Sequence, residues 1–228
     1  MKIALIGYGK MGHAVEAEAL LKGHSIVCVA DSMEEISDRR ADMQQTDVAV
    51  EFSQPSAAAD NLRQCLQDGI AVVCGTTGWY EQYDSVAALC RKREGRMLTA
   101  TNFSIGMNIM FTLNKRLAAL MAGREQYAAS ITETHHIHKL DAPSGTALTL
   151  QEQIMTHGRR SKNQIEIASI REGEIPGIHT VSYASAEDTI TLTHEAHSRR
   201  GLAIGAVVAA EWLVAAAPGV YTMNDVLA

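Results

Sequence analysis

Cationic runs, paired cysteines and long apolar stretches are all scarce in this 228-residue chain, and each shortage removes a class of function. The formal net charge is −6 and no block of Lys and Arg occurs, which argues against a nucleic-acid partner. The four cysteines, Cys28, Cys65, Cys74 and Cys90, show no CxxC spacing and sit in apolar segments. They read as reduced, buried thiols rather than a disulfide framework. The longest apolar run, residues 202–218, is too short for a membrane span and contains Glu211. Met1 leads directly into a strand-like segment with no signal-peptide pattern. A soluble, cytoplasmic protein without nucleic-acid or membrane partners is therefore expected. The composition, 46% hydrophobic and 20% charged, is ordinary for a globular chain, and the length allows one large domain or two smaller ones.

The first hundred residues alternate strand and helix patterns. Lys2–Ile6 is a compact apolar strand, Gly7-Tyr8-Gly9-Lys10-Met11-Gly12 follows it, and an amphipathic helix continues to Lys22 before Gly23. Strand, GxGxxG and helix in that order predict a dinucleotide site. The first glycine allows the tight turn, the second lets backbone approach the pyrophosphate, and the third lets helix and strand pack closely. A second strand ends at Asp31, where a carboxylate binds ribose hydroxyls and repels a 2′-phosphate. Asp31 followed by Ser32 and Met33 favours NADH, while Arg39 and Arg40 leave NADPH open. Further strands are expected over 47–52, 70–74 and 97–100. Gly75-Thr76-Thr77-Gly78 and Ala100-Thr101-Asn102-Phe103 follow the last two, at the end of a parallel sheet where ligands bind. Asn102 is suited to the nicotinamide carboxamide.

The second half changes in kind. Residues 106–121 predict a long helix whose methionines read as core filler rather than a cofactor box. Then comes Glu133-Thr134-His135-His136-Ile137-His138-Lys139-Leu140-Asp141-Ala142-Pro143-Ser144-Gly145-Thr146-Ala147, with three histidines and a lysine beside a tight turn. A strand continuing to Lys139 places His135 and Lys139 on one face. The following helix, expected over 146–157, presents N-terminal N–H groups to an anion. Imidazole, ammonium and N–H groups together suit an anionic substrate that must be protonated. A solvated basic loop before a capped helix is the bland alternative. A metal at His136 and His138 ranks below both, because no cysteine lies near enough in sequence to complete a ligand set, and no resident metal is expected. Residues 164–170, 178–184 and 189–194 alternate apolar and polar and predict an antiparallel meander. One face of it is to be covered, for instance by another copy of the chain. Arg199 suits a bidentate clamp on a carboxylate, with surface solvation as its alternative. Residues 202–217 predict a helix returning to the first domain.

The run His135–Ala147 resembles the signature of the bacterial 4-hydroxy-tetrahydrodipicolinate reductases (dihydrodipicolinate reductases). The N-terminal GxGxxG, Gly75–Gly78, Asn102-Phe103-Ser104 and Ser198-Arg199 match that family in order. The resemblance spans essentially the whole chain and implies an α/β protein. An N-terminal Rossmann doubly wound parallel sheet is expected over 1–104, completed by a C-terminal helix over 202–228. An α+β substrate and oligomerisation domain with a mostly antiparallel sheet is expected over 105–201, usually assembled as a homotetramer. It further implies reduction of 4-hydroxy-tetrahydrodipicolinate with a nicotinamide nucleotide, in lysine and diaminopimelate synthesis. By resemblance, His135 is the acid–base residue and Lys139 a proton donor that also binds substrate. His136, with Gly145 and Thr146, holds the substrate carboxylates. Gly7–Gly12, Asp31, Gly75–Thr77 and Ala100–Phe103 hold the cofactor. Hinges near 103–106 and 198–202 are expected to close one domain on the other. Two departures from the family stand out: the compact connections around 31–50, and Ser32 where many members carry a basic residue, which again favours NADH. Two rivals remain, a related dehydrogenase of an amino acid or semialdehyde and a non-catalytic NADH-sensing module.

Overall fold

The computed structural model describes the backbone of residues 1–228 and all side chains except those of Met33, Glu34, Ser37 and Arg40. The chain forms two compact units, one of residues 1–105 and 200–228 and one of residues 106–199.

The first unit is a six-stranded parallel sheet with helices on both faces. Strand β1 (Lys2–Ile6) is buried from Ile3 onward, as an apolar strand covered on both sides must be. Helix α1 (Lys10–Leu21) runs to β2 (Ser25–Ala30), with Gly23 left-handed at the exit. Two short helices, α2 (Met33–Asp38) and α3 (Arg40–Met43), fill the connection to β3 (Val48–Glu51). Helix α4 (Pro55–Gln67) starts with Pro55 in its first turn, where the missing N–H costs nothing, and ends before the left-handed Gly69. Strand β4 (Ala71–Cys74) is wholly buried. Helix α5 (Tyr83–Lys92) closes with Arg91 and Lys92 against its negative end, and β5 (Arg96–Thr99) follows.

The C-terminal segment departs from expectation. The helix expected over 202–217 forms as α8 (Arg200–Ala215), but beyond it, where helix to 228 is expected to complete the domain, the chain makes a sixth strand β10 (Gly219–Tyr221) parallel to β5 and the short helix α9 (Met223–Val226). Three residues are too short a run to show a strand period, so only tertiary pairing reveals β10. Helix α8 buries Ala203, Gly205, Ala206, Ala209 and Ala210. A Cβ on Gly205 would lie 1.7 Å from the Phe103 carbonyl oxygen, so the small residues let the helix press on the chain. The sheet order is β10-β5-β4-β3-β1-β2, which places the topological switch between β1 and β3.

The second unit begins with α6 (Ile105–Met121). Met107, Met110 and Met121 are buried in its core with Phe111 and Ala118, as filler. Strand β6 (Ala128–His135), α7 (Gly145–Gly158) and β7 (Ile165–Arg171) form a β-α-β unit, and β8 (Gly177–Ala184) and β9 (Thr189–Ala196) complete a sheet of order β7-β6-β8-β9. The expected meander is therefore corrected. Strand β6 lies between β7 and β8, pairing parallel to β7 and antiparallel to β8. Alternation of side chains reports which face is buried but carries no information on neighbours, and α7 is long enough to make the parallel crossover. Ala129, Ile131, Val181 and Tyr183 face the helices and form the core with Leu150 and Ile154. Asn114, fully buried, ties α6 to α7 through the Leu150 carbonyl (3.2 Å) and Gln153 (3.0 Å).

Candidate active site

In the first unit, the four expected segments and the loop after β3 lie along one end of the sheet, in the order β2, β1, β3, β4, β5. Backbone bonds carry the ladder one residue past the strands and pin each loop. Gly7 N donates to the Ala30 carbonyl (2.8 Å), Phe52 N to Ile6 (2.7 Å), Gly75 N to Glu51 (2.9 Å) and Ala100 N to Cys74 (3.2 Å). Gly7 has φ +87° and a Cβ there would sit 2.3 Å from the Phe52 carbonyl oxygen, which leaves glycine alone at the switch point. A Cβ on Gly12 would meet the Gly7 carbonyl at 2.4 Å, so this glycine seats α1 against the turn. In front of Gly9, by contrast, nothing lies within 4 Å. That open approach at the N-cap of α1 is where a pyrophosphate fits, facing first-turn N–H groups that have no partner within the helix. Lys10 and Met11 occupy that first turn.

The carboxylate of Asp31 is exposed and accepts the Tyr8 N–H at 2.5 Å, which holds it beside the glycine turn. The Tyr8 hydroxyl bonds Glu16, and its ring lies 3.9 Å from that of His13. Gly75 packs on the Phe52 ring, where a Cβ would come within 2.0 Å. Thr76 is buried and its hydroxyl has no partner among the described residues, an unspent polar group at the same sheet end as Gly7. Its carbonyl accepts from the Trp79 indole (2.9 Å), and Thr77 is exposed. Asn102 accepts the Ser104 N–H (2.9 Å), Phe103 is buried against Phe52, and Thr101 is exposed. The open cradle at Gly9 and the unspent Thr76 hydroxyl fit a dinucleotide. Of the two cations that could favour NADPH, Arg39 is exposed, and Arg40 has its side chain outside the described ones.

In the second unit the site is built by cross-strand pairing. Strand β6 ends at His135, so the extended stretch to Lys139 does not form; residues 136–139 turn back, with Lys139 N on the His136 carbonyl (3.1 Å). On the helix-facing side of the sheet, Ser169 (β7), Glu133 (β6), His179 (β8) and His194 (β9) stand in one row, and Arg171 and His135 start the next, opposite Gly177. A Cβ on Gly177 would lie 2.9 Å from Cε1 of His135, so glycine makes room for the ring. Nδ1 of His135 bonds the Pro176 carbonyl (3.2 Å), which assigns the proton to that nitrogen and points Nε2 into the cluster.

Glu133 is fully buried. Its Oε1 accepts from Ser144 N (2.9 Å), the Ser169 hydroxyl (2.8 Å) and Arg171 (3.1 Å). Burial pushes its pKa up, but these bonds outweigh it and hold the carboxyl at about 2. Oε2 lies 3.3 Å from Nε2 of His135 and 3.8 Å from Nε2 of His179. The two Nε2 atoms are 3.3 Å apart, and the Ser144 hydroxyl is 3.2 Å from that of His179. Burial lowers the pKa of His135, aided by the Lys139 and Arg171 charges and opposed by the Pro176 carbonyl and Glu133. Burial and then the His135 charge lower His179 to about 4.

Arg171 also donates to the carbonyls of Lys139 (3.3 Å) and Asp141 (2.5 Å), tying the turn to the sheet. Lys139 pairs with Asp141 at 2.8 Å, and its ammonium holds the Asp141 carboxyl below the ordinary range. Ser144 caps α7, its hydroxyl accepting from Ala147 N (3.2 Å), so Gly145 and Thr146 form the first turn with free N–H groups. His136 lies 3.5 Å from the Arg199 guanidinium. The neighbouring Arg200 is committed to Glu18 in the first unit. His138 pairs with Glu174 at the surface and is not brought into a ligand set with His136. The donor groups that do converge within 4.8 Å are Glu133, His135 and His179. Sequence reading assigned no role to Glu133, Arg171, Gly177 or His179, and the strand expected over 178–184 gave no sign of a site.

The sequence models described as "Dihydrodipicolinate reductase, N-terminus" and "Dihydrodipicolinate reductase, C-terminus" match residues 1–103 and 106–227. A 4-hydroxy-tetrahydrodipicolinate reductase of Christiangramia forsetii is 43% identical over 236 aligned positions, covering 100% of this chain and 98% of that protein. One from Oleidesulfovibrio alaskensis is 34% identical over 97% of this chain and 90% of that protein. A dipicolinate-bound dihydrodipicolinate reductase from Paenisporosarcina sp. TG-14 shares the fold with a TM-score of 0.84, at 21% identity, covering 99% of this chain and 98% of that one. Full-length agreement in both halves leaves one assignment: the chain belongs to the dihydrodipicolinate reductase family.

Proposed function

We propose that this chain carries out the NAD(P)H-dependent reduction of 4-hydroxy-tetrahydrodipicolinate to tetrahydrodipicolinate, in lysine and diaminopimelate synthesis, with His135 as the proton donor. The single observation that carries the role of His135 is its position. A buried imidazole, oriented by the Pro176 carbonyl, lies beside a buried carboxylate and in the field of Lys139 and Arg171. The bound nicotinamide supplies a hydride; the remaining roles fall to the protein. Gly7, Tyr8, Gly9, Lys10, Met11 and Gly12 seat the pyrophosphate, and Asp31 the ribose. Gly75, Thr76, Thr77, Ala100, Thr101, Asn102 and Phe103 line the nicotinamide end. His136, Arg199 and the N–H groups of Gly145 and Thr146 take the two carboxylates.

Substrate charge and the proton are coupled. Lys139 and Arg171 oppose protonation of His135, and a dianion placed among these cations offsets them. Binding then raises the proton affinity of His135 before hydride arrives. Lys139, released from Asp141 by a substrate carboxylate, binds substrate and serves as a second donor.

The cofactor is NADH. Asp31 is fixed by the Tyr8 N–H where a 2′-phosphate would lie against its charge, and Ser32 offers no cation. The enzyme works in the cytoplasm, in keeping with four free thiols that are all buried, and as a homotetramer. The outward face of the second sheet, with Ser130, Thr132, Thr180, Ser182 and the half-exposed Ile170, is the surface for that assembly.

The test is a coupled assay in which the upstream synthase, fed pyruvate and aspartate semialdehyde, forms the unstable substrate in place. NADH oxidation is expected only with synthase, both precursors and this protein together, at a rate at least tenfold above NADPH. His135→Gln is expected to lose about 10²-fold or more in kcat with NADH binding retained. Near wild-type turnover of that variant would refute the role of His135. Light scattering reads the assembly.

A further inference from the structure

We propose that Glu133 and His179 are positioning residues for His135: the Glu133 carboxylate stabilises charged His135 from beside Nε2, and His179 closes the other side of that space. The inference rests on the reading of His135 as proton donor.

The two oxygens of Glu133 have opposite situations. Three donors converge on Oε1, while Oε2, equally buried, has no hydrogen-bond partner among the described residues. An ionised buried oxygen left bare is costly, and a positive charge on a neighbouring ring offsets it. Nε2 of His135 stands 3.3 Å away. Its Nδ1 is already committed to Pro176, which holds the ring with Nε2 beside both Oε2 of Glu133 and Nε2 of His179. Glu133 is thereby clamped through one oxygen and offers the other to a single histidine. Nε2 of His179, 3.3 Å from Nε2 of His135 and 3.2 Å from the Ser144 hydroxyl, fills the remaining side with a neutral group. A charged His179 would compete for the carboxylate; its burial prevents that.

The charges facing His135 come from every neighbouring segment. Glu133 lies on β6, Lys139 and Asp141 on the turn, Arg171 on β7, His179 on β8, and His194 on β9 beyond it. Glu133 is the anion that reaches Nε2, against two cations. The same three donors, at separations of 3.3, 3.3 and 3.8 Å, would also suit a tetrahedral ion. Arg171 already bonds Glu133 and Lys139 adds charge nearby, so a divalent cation would enter a positive site, and the geometry favours the proton.

The experiment is a side-chain NMR titration of His135 in the full chain loaded with NADH, alongside the pH profile of kcat. Glu133→Gln is expected to lower the His135 pKa by at least about one unit, the Coulomb shift at this distance under water-like screening. The alkaline limb of kcat moves to lower pH with it, while KM stays within about threefold. Should Gln unfold the chain, Glu133→Asp, which withdraws the carboxylate, is expected to give a smaller shift of the same sign. His179→Ala is expected to lose roughly tenfold in kcat, with His179→Gln or added imidazole restoring most of it. An unmoved His135 titration in folded Glu133→Gln or Glu133→Asp overturns the proposal. So does stoichiometric Zn²⁺ in the purified protein whose removal abolishes turnover. Full activity of His135→Gln instead overturns the reading it rests on, whatever Glu133 does.

Discussion

Gly177→Ala places a methyl group directly against the ring of His135. The new Cβ would lie 2.9 Å from Cε1 and 3.2 Å from Nδ1. Carbon atoms settle at about 3.5–4.0 Å, so the ring must retreat by roughly 0.6 Å or more. The bond from Nδ1 to Pro176, already 3.2 Å long, would stretch beyond hydrogen-bond range. Losing it costs about 1 kcal/mol, the clash with a ring that can shift adds about 1–2 kcal/mol, and a side chain at φ +159° adds backbone strain of about 1–3 kcal/mol. The fold survives a change of that size, but a proton donor misplaced by most of an ångström loses about 10–100-fold in rate. In the coupled assay, kcat is therefore expected to fall by that factor, while NADH affinity is expected to change less than twofold. A Gly177→Ala enzyme with kcat within twofold of wild type would refute the claim that Gly177 exists to seat His135.

Gly9→Ala and Gly12→Ala should separate ligand from fold. The first meets nothing in the protein and is expected to cost within about 1 kcal/mol of stability yet weaken NADH tenfold or more, read by calorimetric titration. The second drives a Cβ into the Gly7 carbonyl and is expected to destabilise by about 2–3 kcal/mol in urea. Arg171→Met strands the buried Glu133 charge and frees the Lys139 and Asp141 carbonyls; a loss of about 3 kcal/mol is expected, largely recovered in the double variant with Glu133→Gln. Glu133, held at about 2 in the folded chain, stabilises fully above its unfolded pKa of about 4.5 and loses that contribution as pH falls towards 2. The urea stability of wild type minus that of Glu133→Gln should thus fall by about 3 kcal/mol between pH 5 and 2, and a flat difference would contradict the assignment.

The glycine turns illustrate what local sequence carries. Gly7, Gly9 and Gly12 are spaced for contacts within a dozen residues, so strand, turn and helix announce the dinucleotide fold without any distant partner. The same locality gave away α6 and α7, whose apolar spacing needs only the helix itself, and the polar run from His135 to Thr146. The second sheet behaves otherwise. Its alternating strands show which side chains are buried, while the insertion of β6 between β7 and β8 is a choice among pairings of equal local appearance. Strand β10 exists only because the edge of β5 is there to receive it.

The site divides along the same line. Sequence by itself determined that a histidine and lysine stand beside a capped helix, because those residues are neighbours in the chain. Tertiary structure alone decided which histidine is buried and what surrounds it. Glu133 meets Arg171 and His179 across separations of 38 and 46 residues (171 − 133 and 179 − 133), through the register of three strands. Hydrogen bonding and burial, which set the charge of each group, depend on those partners, and no pattern within a single segment encodes them.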